Sequence, residues 1–271
     1  MRAPAPAKLN LALVVGPLRQ DGKHEVVTVY QRLGIADRID VELADRISVD
    51  GFPGDTLVRT ALERLAAQAA PPRGWRARIE KHVPVAAGLG GGSSDAATAL
   101  RLANATLEEP VPPDGLRELA AELSADVPFF LEDGPQVGSG DGSLLRPTDV
   151  PQDFWVLLVL PNGAAKPSTA SVYRDFDARD GADGWEERRD ALFAALEDVR
   201  RPRDLAALPP NDLASSPLAE ELQGLGAFRA DVTGAGPTVY ALFHHRSQAK
   251  AAQRVAKGFG RTWLTAPAWY G

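Results

Sequence analysis

A glycine run places the tightest constraint on the fold of this chain. Four of the five residues from Gly88 to Gly92 are glycine. Residues 75–83 before the run alternate loosely between apolar and polar side chains and predict a strand, whereas residues 93–104 behind it are rich in Ala and Leu and predict a helix. Successive glycines let a backbone turn tightly and approach a ligand without Cβ atoms in the way. We therefore expect a strand, a ligand-approaching loop and a helix, in that order.

The loop and the helix behind it predict an anion site. The first turn of a helix carries N–H groups without intrahelical partners, and the helix dipole adds positive charge there, so the position suits a phosphate. The hydroxyls of Ser93 and Ser94 add donors, and one of them could instead reach a magnesium ion. A flexible glycine linker, or a helix simply capped by Ser93, is the alternative that these residues leave open.

Three common nucleotide-binding patterns do not fit the run. A P-loop needs Lys followed by Ser or Thr after its last glycine, but Gly92 is followed by two serines. The spacing of Gly88, Gly90 and Ser93 imitates a dinucleotide fingerprint only loosely, and no acidic residue ends a second strand about 20 residues later. The HRD and DFG tripeptides of protein kinases are absent from the sequence.

Composition narrows the classes of protein. The 271 residues correspond to roughly two domains at about 150 residues each. Thirty Lys and Arg against 36 Asp and Glu give a net charge of −6, which disfavours a polynucleotide partner. The lack of Cys excludes disulfides, thiolate metal sites and cysteine nucleophiles. No apolar stretch approaches about 18 residues, and the N-terminal segment does not resemble a secretion signal, so we expect a cytoplasmic protein without a membrane partner.

Strands and helices alternate irregularly along the chain, which predicts an α+β protein of two domains. Residues 26–33 and 39–43 predict two separate strands, residues 129–131 a short extended segment, and residues 134–147 a glycine-rich loop. The prolines at 147 and 151 mark the expected boundary. We therefore place the two domains at residues 1–148 and 149–271.

Five segments, in this order, resemble the motifs of the GHMP kinases, the superfamily of galactokinase and of homoserine, mevalonate and phosphomevalonate kinases. Within it the likeness is greatest to the branch that acts on 4-diphosphocytidyl-2-C-methyl-D-erythritol. Residues 168–173 and 211–213 also fit, so the resemblance covers nearly the whole chain. The five segments are residues 6–11 (PAKLNL), 21–24 (DGKH), 84–94 (PVAAGLGGGSS), 125–130 (ADVPFF) and 233–238 (TGAGPT).

The resemblance implies a two-domain GHMP kinase fold, with an N-terminal domain like domain 2 of ribosomal protein S5 and a ferredoxin-like C-terminal domain. It implies an ATP-dependent kinase that phosphorylates the 2-hydroxyl of the cytidyl substrate in the non-mevalonate isoprenoid pathway. The ATP loop would consist of eleven successive residues, which are Pro84, Val85, Ala86, Ala87, Gly88, Leu89, Gly90, Gly91, Gly92, Ser93 and Ser94.

Two charged residues would carry the chemistry. From the residues alone, Asp126 is a helix-terminal Asp beside a proline turn, and Lys8 is a strand lysine that extends towards solvent. By resemblance Asp126 is the catalytic base, and Lys8 lies beside it to stabilise negative charge. The two are 118 positions apart, so an ammonium-to-carboxylate distance within about 4 Å is a clear prediction.

The resemblance also assigns substrate contacts. Asn10 would lie on the same side of its strand as Lys8, although a buried strand Asn bonded to backbone is the alternative. His24 would bind cytosine, Thr169 would lie on the substrate side, and Tyr173 would stack on the base. Gly234 and Gly236 would lie near the phosphates, unless theirs is simply a tight turn between strands.

The sequence departs from the family at three places. Lys23 stands where the family usually has Tyr, residues 138–142 read GSGDG instead of a pattern nearer to Gly-Arg-Gly-Glu, and Ala235 stands where Ser is usual. Lys23 offers no aromatic face to a base. Its aliphatic stem could only lie along the base.

We expect ATP with accompanying Mg²⁺, no dedicated metal site, a small-molecule substrate and either a monomer or a homodimer. Two alternatives remain from the sequence. One is a GHMP kinase for a different small alcohol, which Lys23 favours slightly. The other is an inactive nucleotide-binding regulator, against which the presence of both Lys8 and Asp126 speaks.

Overall fold

A computed structural model describes residues 1–69, 74–164 and 168–268. Its first sheet has six strands: β1 (Arg2–Leu18), β2 (His24–Ala44), β3 (Ser48–Asp50), β4 (Gly74–Glu80), β5 (Gln136–Ser139) and β6 (Leu144–Pro147). The order is β3-β4-β2-β5-β6, and β1 pairs with β2. The predicted strands at 26–33 and 39–43 are one continuous strand, so that prediction was wrong. Long antiparallel pairing with β1 carries β2 through the polar stretch between them.

Helices α1 (Leu57–Gln68) and α2 (Gly91–Asn104) pack on this sheet, and α3 (Pro113–Leu123) packs on α1. The Asp55 carboxylate accepts the N–H groups of Val58 and Arg59 and so caps α1. Helix α2 is buried along almost its whole length, because small residues such as Ala96 and Ala99 let it pack closely against the neighbouring elements. The glycine loop therefore leads into a helix that the core holds in place.

Two local predictions in the N-terminal half were wrong. Residues 128–131 form a 3₁₀ turn instead of an extended segment, because the Phe130 N–H donates to the carbonyl of Val127. Residues 134–147 are not a loop but contain the hairpin of β5 and β6. Gly140 and Gly142 both have positive φ at the hairpin turn, which glycine adopts without steric cost.

The second sheet has four antiparallel strands: β7 (Trp155–Pro161), β8 (Arg229–Val232), β9 (Val239–Phe243) and β10 (Gly260–Thr265). Their order is β10-β7-β9-β8. Helices α4 (Thr169–Asp177), α5 (Trp185–Asp198) and α6 (Pro217–Gly224) lie between β7 and β8, and α7 (Arg246–Ala256) lies between β9 and β10. This β-α-β-β-α-β order with a 4-1-3-2 sheet is the ferredoxin-like arrangement. The α+β prediction is confirmed.

One apolar cluster joins the two sheets. Leu9 and Leu11 of β1 belong to the same buried cluster as Leu158 of β7 and Tyr240 of β9. The Tyr240 hydroxyl donates to the Leu11 carbonyl at 3.1 Å. The first sheet ends at residue 147 and the second begins at 155, but because their core is shared, the division at 148 stays a prediction. No helix within the described residues is long and apolar enough to cross a membrane.

Candidate active site

A cavity of about 560 Å³ opens where the two sheets meet. The glycine loop and the start of α2 form one wall, and residues 124–126 lie beside them. Strands β1 and β2 form the floor, while α4 and the turn 234–236 supply the C-terminal side. Segments far apart in sequence therefore surround one volume.

The glycine loop packs backbone-to-backbone against the second glycine turn. Gly88 has φ +82°, and a Cβ there would lie 2.6 Å from the Thr233 carbonyl oxygen. A Cβ on Gly236 would lie 2.4 Å from the Cα of Gly88. Neither approach leaves room for a side chain. Gly234 and Gly236 line the cavity next to the predicted phosphate loop.

Helix α2 begins without a side-chain cap. Its N-cap is Gly90, in the left-handed region with φ 68°. The Ser94 N–H donates to the Gly90 carbonyl at 2.9 Å. Gly91, Gly92 and Ser93 before it line the cavity, and N–H groups in the first turn of a helix have no intrahelical partner, which is the arrangement an anion needs. Ten of the eleven predicted loop residues line the cavity, whereas Ser94 is fully buried and does not.

Lys8 and Asp126 meet in the cavity floor. The Lys8 ammonium lies 3.5 Å from the Asp126 carboxylate, so the predicted distance is confirmed. The Lys8 side chain is only 5% exposed, which excludes the interpretation that it extends into solvent, and Asp126 is 34% exposed. The ammonium also donates to Asn10 Oδ1 at 2.6 Å. A buried cation thus faces a carboxylate that the cavity can reach.

Asn10 bonds to protein groups through both ends of its side-chain amide and through its backbone N–H. Its Nδ2 donates to Thr28 Oγ1 at 2.7 Å, and its backbone N–H donates to Thr233 Oγ1 at 3.1 Å. Its oxygen accepts from Lys8. The side chain therefore orients Lys8 and ties β1 to the second glycine turn. Its role as a substrate contact stays a prediction.

Sequence reasoning missed Tyr30, which lies opposite Asn10 in the pairing of β1 and β2. The Lys8 ammonium lies 5.4 Å from the centre of its ring. Burial, followed by the charge of Asp126, raises the pKa of Tyr30 well above its ordinary value, so the phenol stays neutral. Its hydroxyl donates to the Gly142 carbonyl at 3.4 Å. A strand tyrosine carries no local signal of such a position, and only the strand register reveals it.

An aromatic pair lies at the C-terminal side of the cavity. The rings of His24 and Tyr173 stack with centres 4.9 Å apart and 24° between their planes. His24 Nδ1 lies 2.9 Å from the Gly16 carbonyl oxygen, and Nε2 lies 3.3 Å from the Asp177 carboxylate. Tyr173 and Thr169 line the cavity, whereas His24 lies behind Tyr173. Burial raises the pKa of Tyr173 to about 12.

Lys23 bonds to Asp141, which lines the cavity from the β5–β6 turn. Burial works against the ionised carboxylate, but hydrogen bonds from Lys23 and Ser143 hold the pKa of Asp141 below its ordinary value. Two of the positions where the sequence departs from the family pattern, Lys23 and the segment 138–142, are therefore linked by one ion pair.

A second buried charge cluster was also missed. The Lys81 ammonium donates to the carboxylates of Asp37 and Asp95, the latter at 2.8 Å. Burial raises the pKa of Asp95 to about 7, against the opposing effect of Lys81. Burial would lower the pKa of Lys81, but the two carboxylates raise it above its ordinary value. Lys81 and Asp95 line the cavity close to the glycine loop.

Among the described residues, no group of three or more His, Cys, Asp or Glu side chains could hold a metal. The Ser93 hydroxyl lines the cavity and lies 3.2 Å from the Ser124 hydroxyl. Hard cations such as Mg²⁺ take oxygen ligands, and phosphate oxygens can supply most of them.

Comparison with known proteins places these features in a family. The model of the GHMP kinases N-terminal domain matches residues 56–134, and that of the GHMP kinases C-terminal domain matches residues 188–261. A protein of Anaeromyxobacter sp. (strain Fw109-5) named 4-diphosphocytidyl-2-C-methyl-D-erythritol kinase is 40% identical over 92% of this chain and 84% of its own. A Geobacter sulfurreducens protein of the same name is 35% identical over 97% and 96%.

Solved structures agree. A crystal structure of 4-(cytidine 5'-diphospho)-2C-methyl-D-erythritol kinase superposes with a TM-score of 0.80 at 30% identity, covering all of both chains. A mevalonate kinase structure superposes with a TM-score of 0.77 at 14% identity over 98% of this chain and 99% of its own, which supports the fold alone.

Proposed function

The chain belongs to the GHMP kinases, and we propose on that premise that it transfers the γ-phosphoryl group of ATP to the 2-hydroxyl of 4-diphosphocytidyl-2-C-methyl-D-erythritol. Relatives that carry this substrate in their names match 92% and 97% of the chain. The activity would form part of the non-mevalonate route to isoprenoid precursors.

The loop of residues 84–93 would hold the ATP phosphates through backbone N–H groups and the positive end of α2. With a net charge of −6, the chain has no generally basic surface that could attract phosphate, so the affinity would come from this local site. The glycine turn at 234–236 would close the other side of the phosphate site, because it touches Gly88 directly. Mg²⁺ bound to the nucleotide would neutralise phosphate charge, with the Ser93 hydroxyl as a candidate ligand.

Asp126 would accept the proton of the attacking hydroxyl. It is the carboxylate in the cavity that is both partly exposed and bonded to a buried lysine. Lys8 would stabilise the ionised carboxylate and the charge that develops on the reacting oxygens. Asn10 would hold Lys8 in place, so the reaction would depend on positioning and charge.

The stacked pair of Tyr173 and His24 would receive the cytosine end of the substrate. Tyr173 lines the cavity, and the His24 ring stacks on it. Thr169, at the start of α4, lies on the same side of the cavity. A base could stack on Tyr173, since aromatic faces stabilise bases by about 1–3 kcal/mol each.

The Lys8–Asp126 pair beside the glycine loop is the observation that carries the proposal. The test is to incubate the protein with ATP, Mg²⁺ and a panel of alcohols and to follow ADP release. The cytidyl substrate should be turned over in preference to mevalonate and homoserine. Asp126→Asn should lower turnover by about 10² or more with ATP binding nearly intact.

The alternative outcomes discriminate between functions. Preferential turnover of another alcohol would assign this site to a different GHMP kinase activity, which the Lys23–Asp141 pair favours because it replaces an aromatic face. Tight ATP binding without turnover of any alcohol would instead indicate a nucleotide-binding regulator. Near-normal activity of Asp126→Asn would remove Asp126 from the role of base.

A further inference from the structure

Three buried charges from three different elements meet beneath the glycine loop. Asp37 lies on β2, Lys81 directly follows β4, and Asp95 lies in the second turn of α2. The side chains of Asp37 and Asp95 are 0% and 2% exposed, and that of Lys81 is 15% exposed. The Lys81 ammonium bonds to both carboxylates. We call these three residues the Asp37 cluster.

The Asp37 cluster holds the segment that enters the loop. Asp37 Oδ1 accepts the backbone N–H groups of His82 at 2.5 Å and Val83 at 2.7 Å. These are the last two residues before Pro84, where the loop begins. The carboxylate therefore fixes the direction in which the chain leaves β4.

The same cluster holds the segment that leaves the loop. Asp95 comes two residues after Ser93, the last loop residue that lines the cavity. At Gly91, the first residue of α2, a Cβ would lie 3.3 Å from Lys81 Nζ and 3.5 Å from Asp37 Oδ2. Both ends of the loop are thus tied to one ammonium group.

Stability alone is a weak reason for such a cluster. Burying charges is costly, and apolar residues of similar volume often replace a buried ion pair without loss of stability. Two carboxylates share one lysine, and Asp95 Oδ1 is buried without a hydrogen-bond partner. Lys81 and Asp95 line the cavity, while Asp37 is buried behind them, so the position of the cluster points to a role in the site.

We propose that Asp37, Lys81 and Asp95 are positioning residues that set the separation of the two ends of the glycine loop, so that its N–H groups converge on the ATP phosphates. The inference rests on the proposed function, since it takes the loop to be the ATP site. In this role Asp37 and Asp95 act through their bonds to Lys81, and Asp37 also acts through the backbone of residues 82 and 83.

The test uses the isosteric variants Asp37→Asn and Asp95→Asn. Each keeps the shape of the side chain and removes one charged bond to Lys81. ATP binding is measured by calorimetry with a non-hydrolysable ATP analogue and Mg²⁺, below the melting temperature of each variant. We expect about tenfold weaker binding, because a charge-assisted hydrogen bond is lost. The KM for ATP should rise likewise, with kcat at saturating ATP changed less and the KM for the alcohol unchanged.

Glu122→Gln is the matched control. Glu122 bonds to Arg64 between two helices of the same domain, but that ion pair is exposed. This carboxylate-to-amide change should leave ATP affinity unchanged. Amide hydrogen exchange of residues 84–93 provides a second readout, and it should accelerate in Asp37→Asn and not in Glu122→Gln.

If Lys81 instead contacts ATP directly, a different result is expected. In that case Lys81→Met would weaken binding, while the two Asp variants would bind ATP as the wild type does. That result would overturn the positioning role, as would a lower melting temperature with unchanged affinity and exchange. If the wild type itself bound no ATP analogue, the proposed function would fail before the cluster was tested.

Discussion

Replacing Lys8 by Met tests the proposed catalytic role of the Lys8–Asp126 ion pair. The substitution keeps an apolar chain of similar length and removes a positive charge 3.5 Å from the Asp126 carboxylate. Coulomb's law gives about 1.2 kcal/mol at that distance in water and about 4.7 kcal/mol at an effective dielectric constant of 20. Lys8 is buried and Asp126 is one-third exposed. We therefore expect a loss of about 3 kcal/mol in transition-state stabilisation.

That energy corresponds to a decrease in kcat/KM of about 10²-fold. ADP release coupled to NADH oxidation measures it, with the cytidyl substrate and saturating ATP–Mg. Calorimetry should show ATP affinity within about threefold of the wild type. Lys8 Nζ contacts Asn10 and Asp126, and the hydrogen bond from Lys8 to the loop carbonyl of Leu89 comes from its backbone N–H, which Met keeps.

Lys257→Met provides the matched control, since Lys257 is exposed at the end of α7. Its kinetics should equal those of the wild type. A Lys8→Met enzyme that is folded and retains kcat/KM within about threefold would refute the reasoning. Lys8 would then be a structural lysine that happens to lie beside Asp126.

Three further perturbations test other parts of the site. Tyr30→Phe removes the hydroxyl near Asp126 and should lower kcat about three- to tenfold with a small change in stability. The control Tyr240→Phe removes a buried hydroxyl bonded to Arg229 and Leu11, so it should lower the melting temperature and leave kcat unchanged. Equal kinetics of the two variants would contradict the role of Tyr30. Gly236→Ala places a Cβ 2.4 Å from the Cα of Gly88 and should weaken ATP binding at least about tenfold by separating the two glycine turns. The control Gly224→Ala has open space around it and should have no effect. Unchanged ATP affinity in Gly236→Ala would show that the turns can separate without loss of binding. Lys23→Met removes a hydrogen bond that lowers the pKa of Asp141 in the folded state. Such a lowered pKa stabilises the fold at pH values above the ordinary pKa of 3.8, and this stabilisation is lost as the pH falls through the folded-state pKa. Urea unfolding from pH 6 to pH 3 should therefore show a shallower acid-side loss of stability in Lys23→Met than in the wild type, and parallel curves would argue against this ion pair.

The turns at Gly88 and Gly90 in the phosphate loop could be predicted from sequence because their cause is local. Gly88 and Gly90 adopt positive φ, and glycine alone does so without strain. The strand before the loop and the helix after it follow from side-chain periodicity over residues 75–83 and 93–104. The predicted helix began two residues late, because a glycine N-cap gives no side-chain signal.

The pairing of Lys8 with Asp126 came from resemblance and not from pattern. Nothing near Lys8 in the sequence indicates a partner 118 residues away. Only the packing of the 124–126 segment against β1 brings the carboxylate to the ammonium and leaves it open to the cavity. Likewise, the segment at 128–131 forms a turn because backbone hydrogen bonding overrides the extended preference of its aromatic residues.

The sequence by itself determined a glycine loop suited to phosphate, a charge balance unsuited to polynucleotides, and a chain without thiol chemistry. The tertiary structure decided which side chains surround that loop. Tyr30 and the Asp37 cluster reach the cavity through strand register and helix packing, which bring together residues that are distant along the chain. Burial then gave those residues their properties, because a charge removed from water depends on the few partners that the fold places beside it.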